Sequence, residues 1–152
     1  MDDIQKNDHY LMGIILEEKT TNKNEQAMAD CGGLWEKFNK EEIAQSIPEK
    51  RDDTIFAVYY DYEGDHTAPY AYFIGCPVNK VTEPPIGLTK LHIPQQEYKI
   101  VTAKGQMPEC IAEAWNQIWV SGMKRKYGFD FEVYDERCQN WEDAEVDIYI
   151  SM

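Results

Sequence analysis

Two stretches of this chain pass through the same order of patterns, and that repetition limits the folds open to it. Residues 10–17 (YLMGIILE) form an apolar run of strand length. From Asn24 the period changes. Met28, Cys31, Trp35 and Phe38 fall at helical spacing and share one face, with Asn24 placed to cap the helix. Ile43 and Ile47 read as a short second helix ending before Pro48. Residues 54–62 and 70–78 are strands joined through Glu63-Gly64-Asp65, a hairpin. After a linker at 79–87 that holds Pro84 and Pro85, the second stretch begins. Residues 96–103 alternate as a strand, and Gly105 ends it. Pro108 suits a first helical turn. Ile111, Ala114, Trp115, Ile118 and Trp119 make one apolar and aromatic helix face, which Gly122 stops. Strands at 129–134 and 145–150 follow.

Each stretch therefore reads strand, helix, strand, strand, over about 10–78 and 96–151. The halves do not match residue for residue, so the repeat is one of pattern. Each helix carries an apolar stripe that has to be buried, and a sheet face can bury it. The expected fold is α+β, a single domain over 1–152. Two βαββ units related by a pseudo-twofold form one antiparallel sheet, with the helices on one face and a central ligand groove between the halves. A length of 152 residues suits one domain. Gly32-Gly33 costs about 1 kcal/mol per glycine against alanine in a helix, which points to tolerance, a bend or close approach of another backbone.

Charge excludes some partners. The chain has 15 basic and 28 acidic residues, a net charge of −13, so it has no electrostatic means of holding a phosphate backbone. Lys124-Arg125-Lys126 is too short to change that. No direct nucleic-acid partner is expected. No apolar run approaches the ~20 residues of a membrane span. Met1-Asp2-Asp3 has neither the basic nor the apolar region of a signal peptide. The expectation is a cytoplasmic protein without a membrane partner.

The four cysteines, Cys31, Cys76, Cys110 and Cys138, include no C-x-x-C pair and read as reduced thiols. Cys31 and Cys110 sit on apolar helix faces, as small hydrophobes do. Asp61-x-Glu63-x-Asp65 begins like a calcium loop but lacks the glycine at its sixth position and has Tyr72 at its twelfth. His9, His66 and His92 have no ligand spacing. No nucleophile elbow, P-loop or Rossmann glycine pattern occurs. No cofactor or metal is expected.

One carboxylate stands apart. In Phe129-Asp130-Phe131-Glu132-Val133-Tyr134, side chains alternate between faces. The expectation assigns Phe129, Phe131 and Val133, with Val146, Ile148 and Ile150, to the helix-packed face. Glu132, Tyr134 and Tyr149 go to the other. Tyrosines are not what a solvated face needs, and a glutamate is a costly core residue. A half-buried aromatic pocket holding a carboxylate reconciles the two. Such a group can pair with a flat apolar cation, which gains cation–π contacts. Alternatively, desolvation raises its pKa and fits it to take a proton. The plain alternative is an exposed strand glutamate beside surface tyrosines.

Several runs together carry a resemblance: Phe131-Glu132-Val133-Tyr134, the turn Tyr62-Glu63-Gly64-Asp65, Tyr70-Ala71-Tyr72-Phe73-Ile74-Gly75, and the closing Val146-Asp147-Ile148-Tyr149-Ile150. In order and spacing they resemble the GyrI-like effector-binding family, also called the AraC-type or bacterial transcription activator effector-binding domain. The stand-alone branch, which includes integron cassette proteins, is most similar, and the resemblance covers nearly the whole chain. It implies the same duplicated βαββ fold and a central pocket whose key acid is matched by Glu132. In drug-sensing relatives that glutamate, ringed by aromatics, binds lipophilic cations. The implied ligand-binding set is Glu132, Tyr134 and Tyr149, with Tyr72, Trp35, Trp115 and Trp119 as walls. Unlike the family's regulators, the chain leaves no room for a helix-turn-helix at either end, which puts direct transcriptional control in doubt.

The leading expectation is therefore a binding module for a small cationic, aromatic molecule, linked to transcriptional regulation or xenobiotic sensing, rather than an enzyme. One alternative is a hydrolase of electrophilic ring compounds, with Glu132 activating water and Tyr134 or Tyr149 donating a proton. The other is a gyrase-inhibitor-like module with a protein partner.

Overall fold

The strands pair into one antiparallel sheet whose two central strands come from different halves of the chain. The computed structural model describes residues 3–6 and 8–152, the first four by their backbone alone. Among them are eight strands: β1 (Asp3–Lys6), β2 (His9–Ile15), β3 (Ile55–Tyr60), β4 (Ala71–Val78), β5 (Thr89–Ile93), β6 (Gln96–Gly105), β7 (Asp130–Tyr134) and β8 (Ala144–Ser151). The helices are α1 (Gln26–Lys40), α2 (Ile43–Ser46) and α3 (Glu109–Val120). The sheet order is β1-β6-β8-β7-β3-β4-β2-β5. Its inner six strands divide into β6-β8-β7 and β3-β4-β2, the same arrangement turned about the seam between β3 and β7. This is the duplicated βαββ pattern with an extra strand on each side.

Each helix buries its stripe against its own half. Leu34, Phe38, Ile43 and Ile47 pack with Met12, Ile14 and Ile74. Cys110, Ala114, Trp115 and Ile118 pack with Ala103, Val146, Ile148 and Ile150. Full burial of such a side chain is worth roughly 1.5–3 kcal/mol. The two clusters stay separate, and the floor between them is the β3–β7 seam. A third cluster, Leu11, Val58, Phe73, Ile93, Tyr98 and Phe131, occupies the opposite sheet face. Among the described residues no helix is long and apolar enough to cross a membrane.

Two strands were missed and two expectations change. The strand β5 was not anticipated because it follows the proline-containing linker and mixes Lys90 and His92 with its apolar residues. Strand β1 gave no pattern of its own and is held by pairing with β6. Asn24 does not cap α1: it adopts a left-handed conformation (φ 55°) inside a 3-10 turn, and the helix begins at Gln26. The faces of β7 are also reversed. Glu132 pairs across the sheet with Ile148, and Phe131 with Tyr149. Directly paired residues share a face, so Glu132 points toward the helices, alongside Ile148. Phe131 and Tyr149 stack on the far side, with centroids 4.7 Å apart and planes at 14°.

Close approach does occur between glycines, but not at Gly32-Gly33, where an added Cβ would meet nothing within 4 Å. It occurs where Gly13 pairs with Gly75 across β2 and β4. A Cβ on Gly75 would lie 2.3 Å from the Met12 carbonyl oxygen.

Candidate ligand-binding site

The site begins at the seam. Ala57 on β3 sits directly across from Glu132 on β7, and its small side chain leaves space above the carboxylate. Tyr59 and Tyr134 are each two residues along their strands from that pair, so both face the same way. The Tyr59 hydroxyl donates to Glu132 Oε2 at 2.7 Å, and the Tyr134 hydroxyl donates to Oε1 at 2.5 Å. From above, α3 lowers Trp115, whose Nε1–H donates to Oε2 at 2.6 Å. Glu132 is 1% exposed. Among the described residues its hydrogen-bonding partners are these three neutral donors, and no ion pair reaches it.

Burial raises the pKa of Glu132 above the ordinary carboxylate value, and the hydrogen bonds from Tyr134, Trp115 and Tyr59 offset part of that rise. Burial, followed by the nearby Glu132 charge, also holds the Tyr59, Tyr72 and Tyr134 hydroxyls well above the usual phenol range. These tyrosines therefore remain protonated.

The aromatic walls cross between the halves. Trp35 of α1 packs edge-on against Tyr134 of β7, with centroids 5.0 Å apart. Trp115 of α3 packs edge-on against Tyr59 of β3, also at 5.0 Å. Trp35 Nε1–H donates to the Tyr72 hydroxyl at 2.8 Å. Above Glu132 opens a cavity of about 1160 Å³, lined by all four tryptophans of the chain. His66 stacks on Trp119 along one wall, with centroids 5.4 Å apart and planes at 10°. Asp52, Asp53, Glu109, Asp135 and Glu136 also line the cavity, whereas its one arginine is Arg125. Cys31 lines it too, with its thiol pushed well up by burial and by Glu132.

Six of the expected residues, Glu132, Tyr134, Tyr72, Trp35, Trp115 and Trp119, line this cavity. Tyr149 does not, because the β7–β8 register puts it on the far side of the sheet. The sequence reading missed Tyr59, Tyr70 and Arg125, all of which line the cavity. Tyr59 was signalled by the alternation of Ala57 and Tyr59, but only once β3 is known to pair with β7. Arg125, read only as part of a short basic cluster, has a side chain only 3% exposed and bonds Asp130 Oδ2 from Nη2 at 2.7 Å. The acidic run at 61–65 holds no metal cluster. Asp61 and Glu63 instead lie 3.4 and 3.3 Å from Lys19 Nζ, and no group of three or more His, Cys, Asp or Glu among the described residues could hold an ion.

Comparison with known proteins adds the following. A family model described as integron-associated effector binding protein, Cass2, matches residues 5–152. The transcriptional regulator BrlR of Pseudomonas aeruginosa is 33% identical over 128 residues, covering 78% of this chain. That match spans only 45% of BrlR. Among the solved structures that share the fold are two of particular note. One is SAV2435 bound to tetraphenylphosphonium, with TM-score 0.78 and 17% identity over 99% of this chain and 92% of that one. The other is the integron cassette protein VCH_CASS2 from the mobile metagenome of Vibrio cholerae, with TM-score 0.72 and 23% identity over 98% and 94%.

Proposed function

Because the chain belongs to the integron-associated effector binding family, we propose that it is a receptor for a lipophilic organic cation, with Glu132 as the counter-charge. The observation that carries this reading is a buried carboxylate whose partners among the described residues are neutral donors, at the floor of a large aromatic cavity. A carboxylate in that position is costly until a positive charge joins it. A cation with aromatic or alkyl arms supplies the charge, and its arms bury against Trp35, Trp115 and Tyr59. The ring faces add cation–π attraction. The five acidic residues along the cavity walls, together with the chain's net charge of −13, raise the local concentration of cations and turn anions away. BrlR is a transcriptional regulator. In this reading the chain supplies the sensing part of such a response, with an incoming xenobiotic as its signal.

The tetraphenylphosphonium held by SAV2435 is the natural probe. All four tryptophans line the cavity, so intrinsic fluorescence reports its occupation. Titration with tetraphenylphosphonium should give a saturable change. Tetraphenylborate, of the same shape and opposite charge, should give none at the same concentrations. Equal binding of the two ions would remove charge from the account, and no response to either would remove the cation reading.

A further inference from the structure

The geometry points to a second polar anchor in the same cavity: the Nε and Nη1 edge of Arg125, which takes a neutral hydrogen-bond acceptor, a carbonyl or ether oxygen, carried by the cationic ligand. This rests on the cation reading above and narrows it to a class of cation.

Arg125 lines the cavity, and its side chain is nearly fully buried. Its internal partner, Asp130, is already saturated. Asp130 Oδ2 accepts from Arg125 Nη2 and from the Tyr62 hydroxyl, both at 2.7 Å. Oδ1 accepts from the Ser151 amide at 2.7 Å and from Ser151 Oγ at 2.8 Å. A carboxylate offers about four acceptor positions, so Asp130 has none left for a second guanidinium nitrogen. Arg125 Nε and Nη1 are buried and have no hydrogen-bond partner among the described residues. Native interiors rarely leave such donors unmet.

Nearby rings attract the charge without satisfying those N–H groups. The guanidinium carbon lies 4.3 Å from the Tyr127 ring centroid, 5.7 Å from that of Trp115 and 5.8 Å from that of Tyr62. The one phenol oxygen within reach, that of Tyr62, is 3.5 Å from Nη2, the nitrogen already used. The backbone around Arg125 is pinned. The Lys126 amide donates to the Ser151 carbonyl at 2.9 Å, and the Gly128 amide donates to Ser151 Oγ at 3.0 Å. Turning the Arg125 side chain out to water would break its bond to Asp130.

Trp115 links the two anchors. Its nitrogen is 2.6 Å from Glu132, while Arg125 approaches its ring. A ligand lying along this indole meets a negative charge at one end and N–H donors at the other. The donors are shut off from bulk solvent, so water does not compete for them. An acceptor reaches them from the cavity side on a small shift of the Arg125 side chain, which lines that cavity. The acceptor is neutral because Asp130 already balances the guanidinium, and because the acidic residues lining the cavity repel an anionic group.

The test uses a matched pair of probes: triphenylphosphonium cations whose fourth ring carries either an acetyl or an isopropyl group, in meta and para isomers. The two groups are close in size, and only the acetyl group carries an oxygen acceptor. In the wild type, one acetyl isomer should bind about tenfold more tightly than its isopropyl partner, as a hydrogen bond to a charged donor predicts. In Arg125→Lys, which keeps a charge for Asp130 but removes the planar edge, that preference should fall below about twofold. Equal binding of acetyl and isopropyl probes by the wild type would overturn the inference while leaving the cation reading intact. A preference that persists in Arg125→Lys would also overturn it. If no phosphonium binds, both readings fall together. The wild-type comparison needs no variant, so a failure of Arg125→Lys to fold leaves the test decisive.

Discussion

Trp115 and Glu132, 17 residues apart, meet at 2.6 Å because α3, packed over β6 and β8, extends Trp115 toward the seam where β7 joins β3. That bond ties a cavity wall to the buried charge beneath it. Tyr59 and Tyr134 complete the ring of donors from the two central strands. The floor of the cavity thus draws on both halves of the chain, and disturbing any member shifts the charge that the others support.

Protonation of Glu132 should couple to stability. Burial raises its folded pKa above the ordinary 4.5. A carboxyl with a raised folded pKa binds its proton more tightly in the folded state. Its stabilising contribution is full below about 4.5 and is lost as pH rises through the folded value. Glu132→Gln is neutral at every pH and lacks that loss. In urea unfolding at pH 4.5 and 7.5, the difference in stability should shift in favour of Glu132→Gln as pH rises. A difference independent of pH would contradict the raised value.

Tyr59→Phe keeps the ring and removes one donor whose bond lowers the Glu132 pKa. The midpoint of the pH dependence of phosphonium binding should therefore move upward in Tyr59→Phe. Affinity should fall on the acid side of that midpoint in both proteins, as the carboxyl becomes neutral. Calorimetric titrations across pH 4–8 measure both effects.

The same substitution at two glycines should have opposite signs. Gly33 is exposed within α1 and has open space around it, so Gly33→Ala should stabilise by about 0.5–1 kcal/mol through helix propensity. Gly75→Ala places a Cβ 2.3 Å from the Met12 carbonyl oxygen and should cost about 1–3 kcal/mol or more. At roughly 2–4 °C per kcal/mol for a chain of this size, thermal unfolding followed by circular dichroism resolves the two.

Arg125→Met strands Asp130, a carboxylate at 0% exposure, without its positive partner. The expected cost is about 3–5 kcal/mol. Adding Asp130→Asn should recover part of it, so the double variant should be less destabilised than the sum of the single ones. Urea unfolding of the four proteins gives the coupling directly, and additive effects would mean that the pair does not act as a unit.

The strand and helix order was legible because amphipathic periodicity is local, and it identified Trp35, Trp115 and Glu132 as residues of interest. What was not legible depends on pairing. The side of the sheet to which Glu132 belongs is set by its register with Ile148, which no spacing within β7 reveals. The place of Tyr59 follows from the β3–β7 seam between strands far apart in sequence. For the same reason Tyr149, two residues from the end of β8, read as a partner of Glu132 and instead stacks on Phe131. Arg125 read as one of three consecutive cations, and only the fold brings Asp130 to it.

Glu132 is proposed as the counter-charge for a bound cation. Isothermal calorimetry with tetraphenylphosphonium on the wild type and on Glu132→Gln, at a pH where the carboxyl is ionised, tests it most directly. Loss of a buried ion-pair partner predicts binding weaker by about a hundredfold in Glu132→Gln. Affinities within about threefold of each other, about 0.7 kcal/mol, would contradict the claim.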